Sequence, residues 1–497
     1  MSQYRSILKA TTIFGGTQVL QILIQLIRTK FIALLIGGEG MGISALYVST
    51  VAVFVTLFGL GLHTSVVRDL SKANDEGDEI GFSKISLVFK RMLYVLSFAS
   101  IVFIILLSNS LSYLSFGDDL HVVEYVFLSL YVLFTILTQG NQAILTGKRR
   151  IKDLALCSLI GSVVTLITSV PFFYFFGLDG IVPGLIVSTF SNYLVTLLFT
   201  RKIKMIRVAI KWSDVSLYGK SILILGLTLS FSILIGNLTD YFINIGIGRL
   251  GDIRDLGYYN AGMSLTGRII SLIFASISAD FFPRLVASFK SQSLMNETVN
   301  EECEIVLHLS APILAVFSIC SPLVIALLLS DEFLVINSFI RILCLGMFFK
   351  SLGYVLGNLS FAKGDKYVYL FFEAGYSNLA NLSFSLVLYY FYGLKGVACG
   401  FVLCWILYSI LIYLLDYYRY HFSVSVSAFK VIMINTILMS LVYLSNLYNH
   451  DNIPFSIISI IIVLATIIYN VKALNQKTGL FRTIMSSIQT RTEKHEV

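Results

Sequence analysis

Charge is what this sequence has least of: Asp, Glu, Lys and Arg together make up 13% of its 497 residues. An ordinary soluble domain carries about 25%, so a water-soluble fold is excluded. Six prolines leave no room for a proline-rich linker or a proline-built recognition segment. The six cysteines (Cys157, Cys303, Cys320, Cys344, Cys399, Cys404) lie in or beside apolar segments without a CxxC pair. They read as small buried residues, neither disulfide partners nor metal ligands. The six histidines show no metal-ligand spacing, and there is no Walker loop, GxSxG elbow or carboxylate pair placed for acid–base work. No stretch between apolar runs is long enough to house a soluble domain, so a nucleic-acid partner has nothing to bind. A glycan polymerase or ligase would be expected to carry a large outer loop with acidic and basic residues, and none is present.

What the chain has in abundance is long apolar runs. Hydrophobic residues are 57% of the total and the mean hydropathy is +0.84. Runs of at least about 18 residues, enough to cross a hydrocarbon core of ~30 Å, recur from end to end. Fourteen spans are expected, roughly at 10–36, 43–66, 92–112, 121–146, 153–176, 179–200, 221–247, 255–282, 303–329, 333–361, 367–391, 396–417, 431–448 and 453–471. The first lacks a small-residue cleavage site and is read as a retained helix. The fold class is therefore an all-α, multi-pass integral membrane protein. Basic residues orient it: 28 fall on the side of the N-terminus and only Arg249, Arg254 and Lys395 on the other, which predicts cytoplasmic termini. The net charge of +8 is then a topology signal and a contact with anionic membrane lipids.

The first half of the chain is written again in the second. Gly177-Leu178-Asp179-Gly180-Ile181-Val182-Pro183-Gly184 returns 216 residues later as Gly393-Leu394-Lys395-Gly396-Val397-Ala398-Cys399-Gly400. Gly140-Asn141 with Gly147 returns at an offset of 217 as Gly357-Asn358 with Gly364, and Gly42 to Ala45 is echoed by Gly257 to Ala261. Paired halves in a membrane chain are a transporter signature. The expected domains are two six-helix lobes of like orientation, 1–210 and 217–420, two extra helices at 428–474, and a cytoplasmic tail at 475–497.

A charge at a helix centre costs ~2.5–3.5 kcal/mol on insertion scales, so each needs a partner, water or a ligand. On the first span Gln18, Gln21, Gln25 and Arg28 share one face, and the equivalent seventh span carries Asn237, Asp240 and Asn244 at the same kind of spacing. The eighth adds Asn260, Ser264, Arg268 and Ser271, the tenth Arg341 and Lys350, and the eleventh Glu373. These groups can satisfy one another as interhelical bonds, Asp240 with Arg268 or Glu373 with Lys350. They can equally line a wet lumen. Five intramembrane basic residues (Arg28, Lys30, Arg268, Arg341, Lys350) exceed the two central acids, so such a lumen would be cationic and suit an anionic, diphosphate-like passenger. Glu124, His308 and His63 are expected at interfaces or packed.

The segment Arg28-Thr29-Lys30-Phe31-Ile32-Ala33-Leu34-Leu35-Ile36-Gly37-Gly38-Glu39-Gly40-Met41-Gly42 resembles the opening of bacterial O-antigen translocases. These are lipid-linked oligosaccharide flippases of the multidrug/oligosaccharidyl-lipid/polysaccharide exporter superfamily. Gly61-Leu62 with Ser65-Val66-Val67-Arg68, and Gln142-Ala143-Ile144-Leu145-Thr146-Gly147-Lys148-Arg149-Arg150, fit the same group. The likeness covers about residues 5–420, with Gly38 standing where a proline would be expected. It implies a V-shaped, two-lobed transporter in the bacterial inner membrane that moves undecaprenyl-diphosphate-linked oligosaccharide to the outer leaflet by alternating access. It also implies that Arg28, Arg68 and Arg268 are the lumenal basic residues.

On that reading Arg28, Arg268 and Lys350 grip the diphosphate and Arg341 also lines the lumen, while Gln21, Gln25, Asn237, Asn244 and Asn260 bond sugar hydroxyls. Asp240 and Glu373 pair with the cations or couple a proton or sodium gradient; no other cofactor is expected. A polysaccharide polymerase and a chain-length regulator are candidate partners. The alternatives are a cation-coupled multidrug exporter or a peptidoglycan-precursor flippase of the same superfamily, and, from another class, a membrane glycosyltransferase or polymerase. An exporter would need an acidic or aromatic cavity, and a transferase a catalytic loop.

Overall fold

The computed structural model describes residues 2–206, 208–209, 212–447 and 457–478; of the expected tail, only 475–478 fall within it. Among the described residues there is no strand. Helix α1 runs Ser2–Gly59, α2 Leu62–Asp75, α3 Glu79–Ser115, α4 Val122–Gly147, α5 Ile151–Phe176 and α6 Ile181–Arg201. After the basic linker come α7 (Trp212–Leu250), α8 (Ile253–Ser288) and α9 (Gln292–Leu328), then a short 3₁₀ turn at Asp331–Ile336 and α10 (Asn337–Ala362). Helix α11 (Lys366–Tyr369) passes through a π-helical stretch at Leu370–Tyr376 into α12 (Ser377–Tyr420), followed by α13 (Val426–Leu447) and α14 (Ile457–Thr478).

Among the described residues, ten helical runs are long and apolar enough to cross a membrane, and eleven if the bent pair 222–250 is one span. Two of them hold two expected spans each. The run Gly16–Gly59 kinks at Gly37 (φ 63°, ψ −163°), and Lys366–Tyr420 kinks at Gly393 (φ 59°, ψ −145°). At ~1.5 Å per residue the first run is about twice and the second nearly three times the ~30 Å thickness of a bilayer core; α8 occupies the remaining expected place but is not among those apolar runs. One boundary moves. Span two was expected to reach residue 66, but the helix stops at Gly59 because Leu60 and Gly61 turn left-handed, and α2 starts afresh.

The repeat seen in the sequence is a repeat of backbone geometry. Gly177 (φ 56°, ψ −125°) and Gly393 sit 216 residues apart in the same positive-φ conformation, which side chains disfavour. Three residues on, a methyl group at Gly180 would strike the Phe172 carbonyl, and one at Gly396 the Leu388 carbonyl, again 216 residues apart. The sequence echo between Gly42 and Gly257 has a different meaning: these residues touch. A side chain on Gly42 would meet the Ile253 carbonyl, and one on Gly257 the Gly38 carbonyl. Small residues here let α1 and α8 cross with their backbones in contact, where dispersion and weak polar contacts drive helix association in lipid.

The chain divides into two compact units, residues 1–260 with 327–333, and residues 261–326 with 334–497. In the first, α3 packs on α4, α5 on α6, and α1 on α5. Helix α7 joins this unit by packing on α1, α2 and α3; Gly226 lies against the Leu60–Gly61 turn, and the buried Ser65 hydroxyl donates to the Ile222 carbonyl at 2.8 Å. Tyr47, Phe82, Phe89 and Tyr125 form the buried aromatic part of its core. In the second unit α10 packs along α12 and α13, and α13 pairs with α14. The two extra helices are fastened by amide chemistry: Asn470 on α14 donates to Asn435 on α13 at 2.8 Å and meets His308 Nδ1 on α9 at 2.6 Å. His308, expected at an interface, is buried, with its Nδ1 met by that bond.

Candidate substrate-binding site

In the first unit, α1, α2, α4 and α7 enclose a cavity of about 330 Å³, within the ~300–1,000 Å³ range of small-ligand pockets. Its polar lining is Thr56, His63, Thr64, Tyr131, Thr135, Gln139, Ser230 and Asn237. Tyr131, Thr135 and Gln139 recur every four residues, so α4 turns one polar ridge into the space. Asn237 is held by its amide, which donates to the Thr56 hydroxyl at 2.7 Å and to the Ala52 carbonyl at 3.2 Å. Its carbamoyl oxygen is thereby oriented as an acceptor. Arg28 on α1 is half-buried, donates from Nε to Ser169 Oγ at 3.1 Å and interacts electrostatically with Tyr131, which also lines the cavity. A guanidinium beside a hydroxyl-rich pocket can pair with phosphate while the hydroxyls and amides meet sugar.

Other predicted residues of this unit lie apart from that cavity's lining. Gln21 is half-buried and Gln25 exposed on the same α1 face as Arg28. Asn244 is buried and accepts from the Asn260 amide at 3.1 Å, a pair that joins α7 to α8. Asp240 is exposed and within electrostatic range of Tyr259. Arg68 sits on α2, beyond the end of the apolar helix, exposed and paired with Asp69 at 2.9 Å. On the opposite side of the kink in α1, Glu332 receives the Gly38 amide at 3.3 Å and the Tyr258 hydroxyl at 3.2 Å, with Arg254 at 3.9 Å. That accounts for the glycine standing where a proline was expected: a proline has no amide to give.

The second unit brings together Lys350 and Glu373, as the charge pattern suggested. Glu373 accepts a hydrogen bond from Tyr408 and feels the Lys350 ammonium, which lies 5.1 Å from the Trp405 ring and 5.9 Å from the Phe401 ring. Glu373 occupies the π-helical stretch, a distortion common at functional sites. Arg268 is half-buried on α8, its carbonyl accepting from Ser271 at 2.9 Å. Arg341 is buried on α10 and lines a separate cavity with Lys395. The sequence reading missed Tyr131, Thr135, Gln139, Tyr408 and Trp405, and left His63 as packed or interfacial. The four-residue period on α4 was the available signal.

The residues from 31 to 338 match the family model described as "Polysaccharide biosynthesis protein". None of the curated proteins is significantly similar in sequence. Among solved structures, an inward-facing multidrug resistance MATE family transporter of the MOP superfamily superimposes with a TM-score of 0.70 at 17% identity, covering 80% of this chain and 94% of that one. The lipid II flippase MurJ, in an inward closed conformation, gives 0.67 at 14% identity over 94% and 99%. A MOP superfamily transporter from Pyrococcus furiosus gives 0.58 at 18% identity over 83% and 95%. These solved structures are of two transporters and a flippase. The chain therefore belongs to the polysaccharide biosynthesis protein family and carries the all-α membrane fold of MOP superfamily transporters.

Proposed function

We propose that the protein is a flippase that carries an undecaprenyl-diphosphate-linked oligosaccharide, an O-antigen or similar surface-polysaccharide unit, from the inner to the outer leaflet of the bacterial inner membrane. The observation that carries this reading is Arg28 within electrostatic range of Tyr131, which lines a cavity of hydroxyls and amides inside helices otherwise built for lipid. A cation is costly there unless it works. Family membership in polysaccharide biosynthesis supports the glycan as cargo, and the fold supports alternating access as the mode. Arg28, Arg268 and Lys350 are the proposed diphosphate contacts, with Gln21, Gln25, Asn237, Asn244 and Asn260 on the sugars. Glu373, carried on a π-helical stretch, and Asp240 are the proposed coupling groups for a proton or sodium gradient. The basic excess on one side supports cytoplasmic termini, and a polymerase and chain-length regulator remain the proposed partners.

The cellular test is a strain whose surface glycan depends on this protein. Arg28→Ala and Arg268→Ala should each abolish surface glycan while membrane levels of the protein stay normal. Normal glycan from both variants removes the basis for a cationic site.

A further inference from the structure

The second unit holds a cavity of about 230 Å³ bounded by Ser338, Arg341, Ile342, Tyr392, Lys395, Cys399 and Tyr443. It is walled by α10, α12 just past its Gly393 kink, and α13. Arg341 is 7% exposed, while Lys395 stands open at the rim. Two cations line the space and no carboxylate does. At ~30 Å³ per water the volume is that of about eight waters, room for a phosphate group with part of its hydration. The two tyrosines bring hydroxyl donors of the kind that gather at membrane interfaces.

The internal repeat shows that this sign of charge is not inherent in the fold. At the offset of 217 that relates α4 to α10, Arg341 corresponds to Glu124; at the offset of 216 that relates the two glycine turns, Lys395 corresponds to Asp179. The first half thus has two acids where the second has two bases. Helix α13 closes the cavity through Tyr443. Inverted charges and a third wall coincide at one place.

We infer that this cavity is a binding site for the phosphate group of a membrane-anchored lipid, with Arg341 as the buried anchor, Lys395 as the rim cation and α13 as the third wall. The guanidinium fork fixes phosphate oxygens and the lysine adds a point charge where a headgroup enters. The phosphate can belong to a resident anionic phospholipid or to the diphosphate of a polyprenyl-linked passenger. Binding at this cavity stands whether or not the protein flips a glycolipid.

The test uses the full-length protein in neutral detergent, titrated by native mass spectrometry with dioleoyl-phosphatidylglycerol and, separately, with sodium diphosphate. Lys395→Gln and Arg341→Gln are compared with wild type and with Lys72→Gln, an exposed lysine on α2. A charged hydrogen bond contributes ~1.5–3 kcal/mol, so each cavity variant should weaken binding by about tenfold or more, and Lys72→Gln should leave it unchanged. Weakening for phosphatidylglycerol alone identifies a resident phospholipid as the source of the phosphate. Weakening for diphosphate alone identifies a diphosphate headgroup, and weakening for both a site open to either. Lys395 is exposed, so its replacement tests the site even if Arg341→Gln fails to fold. Unchanged binding of both ligands in Lys395→Gln overturns the inference.

Discussion

A single side chain in lipid must answer for its polarity, and Glu373 shows how. Its carboxylate takes the Tyr408 hydroxyl and the field of Lys350, so the charge is shared among three residues on α10, the π-helical stretch and α12. Tyr408→Phe should therefore lower stability by about 1–3 kcal/mol, the usual cost of leaving a buried acceptor short of a donor. Glu373→Gln should cost less, because it removes the charge that demanded the donor. Thermal unfolding in detergent compares the two, and equal, negligible shifts would show that Tyr408 does not support the carboxylate. At the aqueous end of the same region, Asp365 is held below the usual carboxylate range. Partial burial pushes it up, but bonds from Arg419 at 2.7 Å, the Val368 amide and Tyr420 outweigh that. A depressed carboxylate stabilises above its unfolded value and loses that contribution as pH falls through its folded one. Stability should therefore drop on acidification below about pH 4, and Asp365→Asn should flatten that drop in melts across pH.

At the scale of elements, contact between backbones decides where helices cross. Gly257→Leu places a side chain on the Gly38 carbonyl and should cost about 1–3 kcal/mol as an overpacking change, or prevent folding. Gly16→Leu, on the same α1 but facing open space, should be neutral. Membrane expression and unfolding temperature separate these outcomes. Likewise Asn470→Leu cuts the Asn435–Asn470–His308 chain and should cost ~0.6–1.7 kcal/mol, the measured range for polar contacts between membrane helices. Much of this was legible beforehand because hydropathy and loop charge follow directly from the bilayer. The helical places, the kinks at Gly37 and Gly393 and the Lys350–Glu373 association all carried sequence signals. The Gly42–Gly257 echo was legible as a pattern but not as a contact, since similarity does not reveal which copies meet. The end of span two was misplaced because Leu62, Val66 and Val67 continue the apolar run across the left-handed turn. The α4 ridge was passed over because Tyr131 and Thr135 are ordinary in lipid-facing helices. The π-helical stretch leaves no compositional trace at all.

Across the whole molecule, repeated halves have been given unequal chemistry. The first unit holds a neutral, hydroxyl-rich cavity with Arg28 within electrostatic range of its Tyr131; the second holds a Lys350–Glu373–Tyr408 cluster and a doubly basic cavity. The central claim is that intramembrane cations move an anionic lipid-linked sugar. It is tested most directly by reconstituting the full chain into proteoliposomes with a fluorescent polyprenyl-diphosphate oligosaccharide and measuring the rate at which label crosses leaflets. Loss of one charged phosphate contact at ~1.5–3 kcal/mol predicts that Arg28→Ala slows crossing by about tenfold or more. Crossing at the wild-type rate in Arg28→Ala, and again in Arg268→Ala, would contradict the account.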